Sequence, residues 1–100
     1  MLGATASPPS TRGFESMQRY LVLVMRNARF DPAVVQPHRD YLEGLRAGGR
    51  LELTGGFADG SGGAYLLFGD DLAQAMAMVH ADPAYVSGGW DFTVHEWHAR

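Results

Sequence analysis

Two residues of this chain have the types and the placement that acid–base chemistry needs, His38 and Asp82. His38 follows Pro37, a residue suited to helix entry. It shares an i, i+3, i+4, i+7 stripe with Tyr41, Leu42 and Leu45, where an aliphatic residue is expected. An unperturbed imidazole titrates at about pH 6.5, so it can both take and give a proton near neutrality. A carboxylate bonded to one ring nitrogen fixes the tautomer and leaves the other nitrogen as a base. Asp82, in Ala81-Asp82-Pro83, is the candidate for that orienting role. Asp59, Gly60, Ser61 and Gly62 are the candidate substrate-binding residues. Ser61 and loop amides would hold an anionic or enolic oxygen, and the glycines let backbone come close to a ligand. Each of these residues also has a plainer reading. His38 can be a core histidine, Asp82 a cap of its own turn, Asp59 a turn residue before Gly60, and Ser61 an ordinary loop serine.

These residues lie far apart in sequence, so the elements between them decide whether they meet. Residues 20–25 (Tyr-Leu-Val-Leu-Val-Met) form a continuous apolar run, which predicts a strand buried on both faces. A helix is predicted from Val34 or Pro37 to Ala47, ended by Gly48-Gly49. Residues 50–57 alternate at first, with Leu51 and Leu53 on one side, and predict an edge strand. Residues 58–63 are a loop, and residues 64–68 a second continuous apolar strand closing a hairpin. Asp71 and Gln74 make a capping-box pattern for a second helix, with Leu72, Ala75, Met76 and Val79 as its apolar stripe. That helix stops before Pro83. Residues 84–89 are expected to be a short turn, and residues 91–98 a fourth strand of mixed faces.

The order β-α-β-β-α-β predicts an α+β fold of ferredoxin-like type, with a four-stranded antiparallel sheet ordered 4-1-3-2. The two continuous apolar strands take the centre and the two more polar ones the edges. Both helices cover one face. The other carries alternate apolar residues of the central strands, which predicts a homodimer with sheets packed face to face. The same topology brings the start of the first helix, the 58–63 loop and the end of the second helix to one end of the sheet. His38, Asp59, Ser61 and Asp82 are thereby expected to converge.

The bounds agree with this picture. One hundred residues is one domain. Residues 1–16, rich in Ala, Ser, Thr, Pro and Gly, read as a disordered tail before a domain at 17–100. A net charge of −3 with no basic stripe argues against nucleic acid as a partner. No apolar run approaches the roughly 20 residues that cross a bilayer, so no membrane partner is expected and a cytoplasmic location is. There is no cysteine, so thiol chemistry and disulfides are excluded.

The remaining candidates carry less. His95 and His98, three apart on a strand, point to opposite faces and cannot chelate together. His80 ends the second helix, where a positive ring suits the dipole. No set of ligands has zinc spacing, so no metal and no cofactor is expected. Gly60-Ser61-Gly62-Gly63 joins two strands with no lysine following, unlike a phosphate loop. Trp90 and Trp97 are read as packing or interface residues.

The motifs Pro37-His38-Arg39-Asp40-Tyr41-Leu42, Gly48-Gly49-Arg50-Leu51, the run from Thr54 to Gly63 and Ala81-Asp82-Pro83-Ala84-Tyr85 together resemble the YciI-like, or YCII-related, domain family. The resemblance covers about residues 17–97. It implies a dimeric α+β barrel and a His–Asp pair as the proposed active site, falling here on His38 and Asp82. Where the family usually has Gly-Pro-Phe, this chain has Gly55-Gly56-Phe57. Most members have no assigned reaction, and the few with known chemistry act on small oxygenated rings, including by dehydrochlorination. Two expectations follow. One is a cofactor-free lyase or isomerase moving a proton on a small carbonyl or hydroxylated ring compound. The other is a small-molecule binding or accessory domain without catalysis.

Overall fold

The computed structural model describes residues 17–100. The tail expected at 1–16 lies outside the described residues. The elements are β1 (Gln18–Arg26), a 3-10 turn (Pro32–Val34), α1 (Val35–Ala47), β2 (Leu51–Gly56), β3 (Gly62–Gly69), α2 (Leu72–His80), α3 (Pro83–Ser87) and β4 (Trp90–Trp97). The sheet is antiparallel and ordered β2-β3-β1-β4, the ferredoxin-like arrangement with β1 and β3 central.

Strand parity sorts the side chains. Tyr20, Val22 and Val24 of β1 stand beside Leu67, Tyr65 and Gly63 of β3 and beside Glu96, Val94 and Phe92 of β4. This face meets the helices, and its core joins Tyr20, Val22, Val24, Tyr65 and Leu67 to Leu42, Ala75, Val79 and Ala84. The opposite face carries Leu21, Leu23, Ala64 and Leu66 in the centre, with His95 and Trp97 on β4. Leu53 and Trp97 there are 64% and 46% exposed.

Local chemistry explains most element ends. Asp71 caps α2 by accepting from Gln74 N at 2.8 Å, and Gln74 returns a bond to Asp70 N rather than to the cap residue itself. Pro37 does not break α1, because it falls in the first turn, where the backbone N–H has no partner within the helix. Three expectations are corrected. Leu51 and Leu53 do not share a face: a bulge between them pairs Leu51 with Leu67 and Leu53 with Leu66, so Leu53 turns to the open side. Leu72 is 52% exposed and does not belong to the α2 stripe, which is carried by Ala75 and Val79 with Met78 packed beside them. Residues 83–87 are a helix rather than a turn. Pro83 pre-sets its first residue, and Gly88 ends it at φ 77°, a left-handed conformation that glycine adopts freely.

Candidate active site

Asp82 is the one buried charged residue among the described residues, with no exposed surface. Its backbone position is set by its role as the cap of α3, where Oδ1 accepts from Ala84 N at 2.8 Å. Two further groups reach the same carboxylate. Nδ1 of His38 lies 2.9 Å from each oxygen, and Tyr65 donates its hydroxyl to Oδ2 at 3.3 Å. Burial, and then the charge of Asp82, pushes the Tyr65 phenol far above its ordinary value, so it stays protonated and serves as a donor. Ala84 N–H and the Tyr65 hydroxyl already donate to this carboxylate; a carboxylate only accepts, so a hydrogen bond from His38 needs the tautomer with its proton on Nδ1. The remaining nitrogen, Nε2, has no protein partner among the described residues. No buried side-chain nitrogen or oxygen there lacks a partner, so Nε2 must reach solvent.

The ring is held on other sides too. His38 sits in the first turn of α1, 17% of its side chain exposed. Trp90 stacks on it with centroids 6.2 Å apart and planes at 27°. Phe30 meets Trp90 edge-on at 5.0 Å. Asn27 ties the two segments that carry these rings, donating from Nδ2 to Gly88 O and to Asp91 Oδ1, each at 3.0 Å. Tyr41 donates to Met78 O at 2.7 Å and so fixes α1 against α2. Its phenol is also raised, by burial and then by Asp82.

His38 opens on a cavity of about 550 Å³ at this end of the sheet. Arg26, Arg39, Leu42, Tyr65 and Trp90 line it together with the backbone of Gly55, Gly56, Gly62 and Gly63. Gly56 and Gly63 pair across β2 and β3; the missing side chain of Gly56 leaves this space open, while a Cβ on Gly63 would run into the Gly55 backbone. A Cβ on Gly62 would run into Val24 O and into Met25 Cα at 2.8 Å.

The expected site residues therefore divide. His38 and Asp82 are brought together across 44 positions, and Gly62 lines the cavity. Asp59, Gly60 and Ser61 do not line it. They form the hairpin tip, where Asp59 Oδ1 accepts from Ser61 N at 2.9 Å. Hydrogen bonds from the Ser61 side chain and backbone hold the Asp59 carboxyl below its ordinary value. The hairpin base, not its tip, faces His38. Tyr65, Trp90 and Arg26 line the cavity without being among the expected site residues. Tyr65 had a readable signal: it is a hydroxyl in an apolar strand run, in phase with Leu67 on the helix side. No cluster of metal-ligating side chains occurs among the described residues, and none of the described helices is long and apolar enough to cross a membrane.

The YCII-related domain family matches residues 19–98. The uncharacterized protein YjpA of Bacillus subtilis (strain 168) is 41% identical over 81 residues, covering 81% of this chain and 95% of that one. A glucose-6-phosphate 1-dehydrogenase of Aggregatibacter actinomycetemcomitans is 37% identical over 76 residues, 74% of this chain but only 15% of that protein. Among solved structures, the fold is similar to 5-chloro-2-hydroxyhydroquinone dehydrochlorinase from Burkholderia phenoliruptrix AC1100 in complex with 2,5-dihydroxybenzoquinone. The TM-score is 0.64 and the identity 17%, over 82% of this chain and 95% of that one.

Proposed function

The chain belongs to the YCII-related domain family, and we propose that it is a cofactor-free lyase or isomerase acting on a small carbonyl or hydroxylated ring compound. The observation that carries this reading is the pairing of His38 Nδ1 with the buried Asp82 while Nε2 is left without a protein partner. Nε2 takes a proton from an acidic C–H or O–H of the substrate, and Asp82 stabilises the imidazolium so formed. The electron pair released on the substrate then has two outlets. The proton can return from Nε2 to a neighbouring carbon, which is an isomerisation. Alternatively, the pair can expel a leaving group such as chloride while Nε2 passes its proton to solvent, which is an elimination with net loss of HCl. The dehydrochlorinase of similar fold acts on a chlorinated hydroxyhydroquinone, and this supports the choice of substrate class.

A second reading, a ligand-binding or accessory domain without catalysis, is favoured by one observation. The side chains expected to hold the substrate, Asp59 and Ser61, lie outside the cavity. Incubation with chlorinated hydroxyhydroquinones and unsaturated ring lactones, with detection of chloride and of product, separates the two. The first reading expects turnover that falls by about 10²-fold or more in His38→Gln. Binding with no product supports the second. A rate unchanged in His38→Gln removes the first, and a sharp loss of melting temperature with ligand affinity retained would mark His38 as a structural residue.

We further propose that the chain works as a homodimer joined through the open sheet face. Leu53, Phe57 and Trp97 leave apolar surface exposed there, around a shallow pocket of about 300 Å³ that includes Leu21 and Leu66.

A further inference from the structure

We propose that the cavity selects an anionic substrate, recognised at Arg26 through a planar pair of oxygens. This rests on the acid–base reading of His38 and narrows it to a substrate class. Arg26 is the last residue of β1, and its register partner is Trp90, on the helix-covered face. Its guanidinium carbon lies 4.3 Å from the centroid of Phe30, the ring that meets Trp90 edge-on. A continuous path of ring contacts therefore runs from the guanidinium through Phe30 and Trp90 to His38. A guanidinium over a ring face keeps its edge N–H donors available to a ligand.

Those donors have no protein partner among the described residues. Arg26 makes no ion pair or side-chain hydrogen bond among the described residues, and neither does Arg39, which lines the same cavity. The acids on the lining are occupied: Asp40 accepts from Gln36 Nε2 at 2.8 Å, and Glu43 pairs with Arg46 at 3.4 Å. A positioned guanidinium without a counter-ion beside a general base suits a carboxylate or the two ring oxygens of an ionised hydroxyquinone, since both match its fork. The anion would be held at one end of the cavity with the reacting carbon toward Nε2.

The test uses two anions and their neutral counterparts, by calorimetric titration of the full chain: benzoate against benzamide, and 2,5-dihydroxybenzoquinone against its dimethyl ether. Either anion should bind at least tenfold more tightly than its neutral partner, and which one does distinguishes a carboxylate from a quinone-type substrate. Arg26→Met should weaken the bound anion at least tenfold with the melting temperature kept, and Arg26→Lys should fall between the two. Neutral and anionic probes binding within twofold of each other, no binding of either anion at millimolar concentration, or an Arg26→Met affinity within twofold of the parent each overturns the proposal. Turnover that needs His38 but ignores Arg26 sinks this inference alone. Anion binding through Arg26 together with no product from the chlorinated hydroxyhydroquinones or the ring lactones sinks the acid–base reading alone.

Discussion

Tyr65 and His38 bind the same atom: the Tyr65 hydroxyl donates to Oδ2 of Asp82 at 3.3 Å, and His38 Nδ1 approaches that oxygen at 2.9 Å. The carboxylate that faces the imidazole thus also adds to the effect of burial on the Tyr65 phenol.

Replacing Asp82 by Asn tests the orienting role. The amide keeps an acceptor for Ala84 N–H but offers its NH₂ group to partners that are themselves donors. Loss of about 10- to 100-fold in product formation is expected, with about 1–3 kcal/mol lost from stability because a donor is left unsatisfied. Rates and thermal unfolding should be measured together. Full activity in this variant contradicts the orienting role.

Alkaline titration tests the buried phenol. The folded-state value of Tyr65 lies above the value of about 10 for an unfolded tyrosine. Its contribution is therefore complete below about pH 10 and declines as pH rises beyond it, since the unfolded chain releases the proton first. Burial, ahead of Glu96 and Asp71, acts in the same direction on Tyr20. Tyr65→Phe should make the fall of stability with pH shallower, by up to about 1.4 kcal/mol per pH unit. Denaturant unfolding at pH 9 to 11 reads the difference. The same variant should lose about 0.5–1.5 kcal/mol at neutral pH through the missing hydrogen bond.

Two glycines on the cavity should respond in opposite ways. Gly62→Ala drives a Cβ into the Val24 carbonyl and should cost about 1–3 kcal/mol. At Gly56 an added Cβ meets only Gly62 O, at 3.7 Å, an ordinary contact, and the φ there is not positive. Gly56→Ala should therefore hold or raise stability by about 0.4–1 kcal/mol, while narrowing the cavity and weakening ligand binding. Melting curves and titrations on the pair decide this.

Leu53→Asp places a charge on the open sheet face without touching His38. Light scattering should show the parent chain as a dimer and the variant as single chains at the same concentration. A parent chain that is already single removes the proposed interface.

Much of this molecule could be read before its structure was known, for identifiable reasons. The β-α-β-β-α-β order and the central place of β1 and β3 follow from two unbroken apolar runs. That order alone brings His38 to Asp82. The failures are local. The bulge between Leu51 and Leu53 adds one residue with no mark in composition, and every later side chain of β2 then faces the other way. The loop at 58–63 does reach the right end of the sheet, but a hairpin presents its base to the cavity and carries its tip beyond, so Asp59 and Ser61 lie outside it. Tyr65 was absorbed into an apolar run, where its ring belongs and its hydroxyl does not. Arg26 ends a strand, and nothing in sequence announces that Phe30 holds its guanidinium in place.

The carboxylate that faces His38 is also the one that starts α3. Closing this turn and setting the carboxylate against the imidazole are for this reason one event. Once the chain has closed the turn at Ala81-Asp82-Pro83 and packed α1 against it, the imidazole already faces the carboxylate that the turn itself requires.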